Sequence, residues 1–189
     1  FEKVKKEMLE AFQKVHNPIQ LTYLYKKYRK KMKQIKILKP KNVLKIGIIG
    51  ELYTVMEPFS NYELEKTLAS YGMEIKRFTN VYYLLFQKHK KVKKYLKSCK
   101  KYIKYSMGAD AADNIARTKY LCEHRYDGII HIKSSFCTPE ISAMPIISKI
   151  AHEYGIPVIF FSFDSGTSEV GIKTRLEAFY DMLEMRKKL

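Results

Sequence analysis

The chain is organised around the stretch Asp127-Gly-Ile-Ile-His-Ile-Lys-Ser-Ser-Phe-Cys-Thr-Pro-Glu-Ile-Ser-Ala-Met-Pro145. Its β-branched run follows a turn-prone Asp-Gly pair and predicts a buried strand, while the small residues after it predict a loop. Thr138 is predicted to cap a helix whose first residue is Pro139, with Glu140 beside the positive helix end. Strand, loop and helix in this order are typical of an α/β fold.

Cys137 lies one residue before the predicted cap, in the loop at the C-terminal end of the strand. Open α/β sheets bind their ligands beyond this edge. The helix dipole favours a thiolate at such a position, which indicates a reactive or metal-binding cysteine. Free cysteine is also among the most buried residue types, so an inert packed thiol is the alternative.

The composition indicates one globular domain with an appendage. The 189 residues are 46% hydrophobic and 29% charged, and a single domain usually has about 100–200 residues. No apolar run approaches the roughly 18 residues of a membrane span, so we expect no membrane partner and a cytoplasmic location. Cys99, Cys122 and Cys137 form no C-x-x-C pair, and the first two are predicted on helices away from Cys137, which argues against a disulfide scaffold or a zinc ribbon.

The net charge of +17 is carried mainly by lysine and would attract any polyanion. Tyrosines interleave with lysines in Tyr23-Leu-Tyr-Lys-Lys-Tyr28 and in Lys100-Lys-Tyr-Ile-Lys-Tyr105. At helical spacing this pattern is more typical of an amphipathic face than of a base-stacking surface, so nucleic acid is not an expected partner. A polyanion-binding module remains an alternative function.

Short apolar segments alternate with helical ones along the chain. Strands are predicted within residues 43–50, 73–78, 127–133 and 156–163, and helices within residues 1–34, 62–70, 81–105, 110–125, 138–151 and 171–189. We therefore predict a three-layer, Rossmann-like α/β domain over residues 42–189, with a four-stranded parallel sheet in the order 2-1-3-4. Residues 1–41 are predicted to form a helical extension or connector that is broken at Asn17-Pro18.

Polar residues follow three of the predicted strands. Glu51 comes directly after the first strand, Cys137 lies in the loop after the third, and Asp164 comes after the fourth. Because the carboxyl ends of parallel strands meet at one edge, we expect these loops to converge, which favours a functional role for all three residues.

Two common nucleotide-binding motifs are absent. The spacing Gly47-x-x-Gly50 is not the dinucleotide fingerprint G-x-G-x-x-G, and no G-x-x-x-x-G-K-[S/T] occurs. This argues against a nucleotide-dependent dehydrogenase or a P-loop enzyme. Ser60 or Asn61 is predicted to cap the helix of residues 62–70.

Three motifs occur in order: Gly47-Ile-Ile-Gly-Glu51 with Glu57-Pro-Phe-Ser-Asn61, then Phe136-Cys-Thr-Pro-Glu140, then Phe163-Asp164 with Thr174-Arg-Leu-Glu-Ala-Phe179. Together they resemble the 2-hydroxyacyl-CoA dehydratase D-component superfamily, and the branch they resemble most is that of the CoA-dehydratase activase-related proteins. The resemblance covers about residues 43–183, and residues 1–41 resemble the family only as a helical connector.

The resemblance implies an iron–sulfur cluster, a 4Fe-4S cluster or a double cubane, held by cysteines between α/β domains. It implies that such proteins receive a low-potential electron from an ATP-hydrolysing activator and pass it to a 2-hydroxyacyl-CoA thioester. Cys137 would be a cluster ligand. The residues expected to line the cofactor pocket are Glu51, Asn61, Thr138, Glu140 and Asp164.

Cys99 and Cys122 do not match ligand positions of the family, whose other ligands lie in an N-terminal domain. We therefore expect a C-terminal domain of a longer protein, whose partners are that missing N-terminal domain, the activator and an acyl-CoA. These residues alone are expected to hold no stable cluster and to show no dehydratase activity. A non-catalytic domain that docks the activator through its basic surface is a further alternative, and homo-oligomerisation is left open.

Overall fold

The first of two compact units is a pair of helices. The structure, a computed structural model, describes residues 1–37, 42–81, 83, 94–105, 107–108 and 110–188, and these divide into units Phe1–Lys41 and Asn42–Leu189. The first unit contains α1 (Glu2–Gln13) and α2 (Pro18–Lys33). The side chain of Asn17 caps α2 by accepting the Gln20 backbone N–H at 2.8 Å.

One aromatic contact and one ion pair join the two helices. The Tyr28 hydroxyl donates to the Glu7 carbonyl at 3.1 Å, and the Tyr28 ring meets Phe12 edge-on at 6.2 Å between centroids. Lys31 pairs with the Glu7 carboxylate at 3.0 Å. Tyr28 is the residue of α2 that is buried.

The second unit contains the sheet, whose strands are β1 (Lys45–Gly50), β2 (Glu74–Arg77), β3 (Gly128–Ser134) and β4 (Val158–Phe163). Their order is β2-β1-β3-β4 and every pair is parallel. The predicted sheet and its order 2-1-3-4 are therefore confirmed. The central pairing places Ile46 opposite Gly128.

Helices cover both faces of this sheet. They are α3 (Leu52–Met56), α4 (Leu64–Ser70), α5 (Ala111–Glu123), α6 (Thr138–Glu153) and α7 (Glu169–Lys188), with a 3₁₀ turn at Pro58–Asn61. Ile130 and Ile132 of β3 belong to the apolar cluster that includes α4 and α7. Ile129 belongs to the opposite cluster with α5 and α6, since successive strand residues point to opposite faces. The three-layer prediction is confirmed.

Two predicted helical ranges differ from the structure. The helix expected from residue 62 begins at Leu64, because Tyr62 and Glu63 have left-handed backbone conformations with φ of 53° and 52°. Of the helix predicted over residues 81–105, residues 94–98 are helical, and this helix ends before Cys99, whose side chain is buried in the apolar cluster. The rest of the helix predicted over residues 81–105 lies mostly outside the described residues. Within the described part of the chain, no helix has both the length and the apolar character to cross a bilayer.

Candidate functional site

The carboxyl edge of the sheet begins where β1 passes close to β3. Gly50 has a φ of 143°, and a Cβ atom there would lie 1.8 Å from the Ile132 carbonyl oxygen. The next backbone N–H, that of Glu51, donates to the same carbonyl at 2.9 Å. Only glycine allows this approach and this φ, so Gly50 sets the direction in which the chain leaves β1.

Glu51 joins the loop after β1 to the loop after β3. Its Oε2 atom accepts the Ser134 backbone N–H at 2.6 Å and the Thr54 hydroxyl at 3.2 Å. A carboxylate that accepts a backbone N–H makes a stronger hydrogen bond than a neutral acceptor does. Glu51 therefore fixes the start of the loop that carries Cys137.

Asp164 joins the loop after β4 to the same segment. Its Oδ2 accepts the Ser135 hydroxyl at 2.6 Å, and its Oδ1 accepts the Gly166 backbone N–H at 2.9 Å. The hydrogen bond from Ser135 is the largest of the interactions that lower the pKa of Asp164. The three loops thus meet at Ser134 and Ser135, which is the convergence predicted from the sequence.

Cys137 lies at the N-terminus of α6, on the loop that these contacts hold. Its backbone N–H donates to the Ser134 carbonyl at 3.2 Å, and its side chain is half-buried. Thr138, predicted as the cap, is instead the first residue of α6, and Cys137 takes the N-cap position without a side-chain capping bond. Because the helix starts one residue earlier than predicted, the Thr138 side chain is exposed at the edge.

The surroundings of Cys137 disfavour a free thiolate. Burial is the main cause that raises the pKa of its thiol, and the carboxylates of Glu51 and Glu140 act in the same direction. The Glu140 backbone N–H and the Lys133 ammonium lower the pKa by less. The helix N-terminus was expected to favour the thiolate, but burial and the two carboxylates raise the pKa of Cys137.

Lys133 places a positive charge beneath the loop. It is buried in the strand, and its Nζ donates to the carbonyls of Ser134 and Ser135 at 3.1 and 3.4 Å. Lys133 was not among the residues expected at this site. The available signal was a lysine inside a strand that was predicted to be buried.

A second overlooked group is a buried polar network under the edge. The Glu140 carboxylate, 1% exposed, lies 2.7 Å from His131 Nε2 and accepts the Asn114 amide at 2.8 Å. The same amide donates to the Gly50 carbonyl at 2.9 Å. Glu140 thus faces the protein interior, where it ties α6 to β3, α5 and the end of β1.

Arg117 extends this network along α5. Its guanidinium donates to the Asn114 side-chain oxygen at 2.7 Å and to the Thr79 hydroxyl at 3.0 Å. It also lies over the Tyr83 ring, 5.1 Å from the centroid. The buried side of this helix includes four polar residues, namely Asp113, Asn114, Arg117 and Thr118. Their spacing of one, three and four residues places them on one side of a helix, and this spacing is visible in the sequence.

Asn61 organises the loop after β1. It is buried, its amide donates to the Thr54 carbonyl at 2.7 Å, and its oxygen accepts the Leu64 backbone N–H at 3.1 Å. The side chain therefore caps the first residue of α4, which agrees with the predicted capping role, while Ser60 donates to the Glu57 carbonyl.

The other cysteines lie away from this edge. Cys99 and Cys122 are 0% and 4% exposed and belong to the apolar cluster on the α5 and α6 side of the sheet. Burial raises the pKa of Cys122 to about 12. No group of three or more His, Cys, Asp or Glu side chains in the described residues is arranged to hold a metal ion. A 4Fe-4S cluster usually takes four cysteine ligands. The described residues can supply one of these ligands, Cys137.

We expect a thiol reagent to label Cys137 before Cys99 and Cys122 in the folded protein. The reason is access, since Cys137 is half-buried and the other two are buried in the core, and the high pKa of Cys122 slows its reaction further. Mass-spectrometric mapping of alkylation over time measures the order, and the chain unfolded in guanidinium chloride should label all three alike. Fast labelling of Cys122 with a protected Cys137 would contradict the expectation.

The fold and this edge define an α/β protein whose loops present a single accessible thiol beyond the carboxyl ends of a parallel sheet. The family model of the 2-hydroxyglutaryl-CoA dehydratase D-component matches residues 5–183, and the chain belongs to this family. The match includes α2 and most of α1, for which the sequence resembled the family only as a helical connector. A comparison with curated proteins found no match.

Proposed function

We propose that this chain is a component of a 2-hydroxyacyl-CoA dehydratase-type protein and that Cys137 is one ligand of its iron–sulfur cluster. The observation that supports the proposal most directly is the position of Cys137. Among three cysteines it is the partly exposed one, and it lies on the loop held by Glu51 and Asp164 in a chain of this family.

The remaining ligands would come from outside these 189 residues. Cys99 and Cys122 are buried in the core, and bringing either to the edge would expose apolar surface. In this proposal the unit Asn42–Leu189 is the domain that carries the cofactor ligand, and Phe1–Lys41 is a connector.

Such a cluster supplies one-electron chemistry at low potential when bound. The residues of this chain would orient it. Glu51 and Asp164 hold the loop, Thr138 lies exposed beside the thiol, and Asn61 fixes the loop after β1. The Lys133 ammonium lies where it would offset the negative charge of a thiolate-ligated group.

The activity proposed for the intact protein is electron transfer in the cytoplasm. An ATP-dependent activator would supply the electron and a 2-hydroxyacyl-CoA thioester would receive it. The family match supports the substrate class, and the accessible edge around Cys137 is the surface such partners would approach.

Reconstitution with added small thiols tests the ligand assignment. The purified chain is incubated anaerobically with ferrous iron, sulfide and excess glutathione, so that glutathione supplies the missing ligands. We expect iron and visible cluster absorption to co-elute with the protein and to fall to background in Cys137→Ser.

The matched control is Cys122→Ala, which should bind as much iron as the unchanged chain because Cys122 lies in the core. Circular dichroism checks that both variants are folded. If Cys137→Ser retained the same iron per chain, the ligand assignment would be wrong.

A further inference from the structure

The helix α2 of the first unit is strongly basic. The helix contains no acidic residue and six cations, namely Lys26, Lys27, Arg29, Lys30, Lys31 and Lys33. Within the described residues only Lys31 forms an ion pair with an acidic side chain, that of Glu7. Cations in the last turn of a helix stabilise its dipole, but Lys26 and Lys27 lie before that turn. Five cations of one helix are thus available to an anionic partner.

Two tyrosines of the same helix are exposed to solvent. Tyr23 and Tyr25 are 64% and 53% exposed, whereas Tyr28 is buried. The amphipathic-face interpretation made from the sequence therefore applies to Tyr28, and intramolecular packing does not explain the other two rings. Tyr25 keeps a cation beside it, since the Arg29 guanidinium lies 6.0 Å from its ring centroid.

The exposed aromatic and basic side chains of α2 form two neighbouring rows along the helix. With about 3.6 residues per turn, Tyr23, Lys26 and Lys30 follow one another along one row. Tyr25, Arg29 and Lys33 follow one another along the neighbouring row. Each row begins with a tyrosine and continues with cations.

This mixed pattern distinguishes between anionic partners. A helix that lies on a lipid surface separates its apolar side from its cationic side, which α2 does not do. Single-stranded nucleic acid needs cations for its phosphates and aromatic rings for its unpaired bases. In a duplex the bases are stacked on each other and the tyrosines would have no such partner.

We propose that α2 binds single-stranded nucleic acid, with Lys26, Arg29 and Lys30 on the phosphates and with Tyr23 and Tyr25 stacked on bases. This interaction is independent of the function proposed for the Cys137 edge. A nucleic acid partner would account for the strong positive charge of the chain.

The test measures binding of a fluorescein-labelled 12-nucleotide oligouridylate to the full chain by anisotropy over a range of salt concentrations. Each phosphate contact with a single strand contributes roughly −0.7 to the slope of log affinity against log salt, so the three contacts of Lys26, Arg29 and Lys30 predict a slope of about −2. Lys26→Gln with Lys30→Gln should reduce the slope to about −0.7, because only the Arg29 contact remains. Tyr23→Ala with Tyr25→Ala should keep the slope and weaken binding by roughly 5- to 150-fold per tyrosine.

The matched control is Lys149→Gln with Lys188→Gln, two exposed lysines of the second unit, which changes the net charge by the same amount. An unchanged slope in this control supports the proposal, and circular dichroism checks the helix content of every variant. An equal decrease of the salt slope in both lysine double variants would overturn the proposal and indicate a general charge effect. Unchanged affinity of the tyrosine variant, or tighter binding to phosphatidylglycerol vesicles than to the oligonucleotide, would also overturn it.

Discussion

Gly50→Ala is expected to lower the free energy of unfolding by about 2–6 kcal/mol. The added Cβ would lie 1.8 Å from the Ile132 carbonyl oxygen, and the backbone has a φ of 143°. Overpacking of a core costs about 1–3 kcal/mol, and a non-glycine residue in a rarely populated backbone region costs roughly the same. Denaturant unfolding followed by circular dichroism measures the change.

Gly72→Ala is the control for this prediction. Gly72 also has a positive φ, 74°, but a Cβ there would meet nothing within 4 Å. Its cost should be about 1–2 kcal/mol, the value for the backbone conformation alone. If the two substitutions had equal effects, the close approach of β1 to β3 would add no steric cost to Gly50→Ala.

Glu140→Ala is expected to destabilise the protein by about 2–6 kcal/mol, since each of the two buried polar groups that lose their partner costs about 1–3 kcal/mol. The substitution leaves His131 Nε2 and the Asn114 amide without the carboxylate that each contacts. Both side chains are 0% exposed, so water cannot replace the lost partner without opening the core. Chemical denaturation of the variant gives the value.

Glu140→Gln separates the hydrogen bonds from the loss of volume. Its amide can still accept from Asn114 and can donate to His131, so we expect a smaller loss of about 1–2 kcal/mol. Cys137 should also label faster in Glu140→Ala while Cys99 stays protected, because the substitution loosens the first turn of α6. An alanine variant as stable as the glutamine variant would show that the network does not hold this turn.

The strand order could be predicted because it depends on few rules. Four apolar segments separated by helical ones require crossover connections, and these favour a parallel sheet with helices on both faces. The convergence of the Glu51, Cys137 and Asp164 loops then follows from the shared direction of the strands. These features need only the pattern of hydrophobic residues along the chain.

The buried network could not be predicted in the same way. Glu140 lies 9 residues from His131 and 26 residues from Asn114 in sequence, and the pairing becomes evident only once α5 and α6 lie beside each other. A search for apolar periodicity assigns polar residues to the solvent side. It therefore gives no indication that Asn114 and Arg117 are buried in α5.

The pKa of Cys137 illustrates a second limit. The sequence indicated a helix N-terminus, which lowers the pKa of a thiol. Burial and the carboxylates of Glu51 and Glu140 raise it, and these influences come from tertiary structure. The position of the thiol at the edge could be predicted, but the direction of its pKa shift could not.

The topology of the sheet also has a consequence for the order of folding. The Asp127 carboxylate accepts the Lys45 backbone N–H at 2.6 Å across 82 residues where β1 joins β3, whereas Ser135 and Asp164 are 29 residues apart where β3 joins β4. Closing the longer loop costs about 1 kcal/mol more chain entropy, at about 0.6 kcal/mol per doubling of length. The pair β3–β4 with α6 is therefore expected to form before β1 joins β3, and the edge of β3 stays open to another extended chain until β1 arrives.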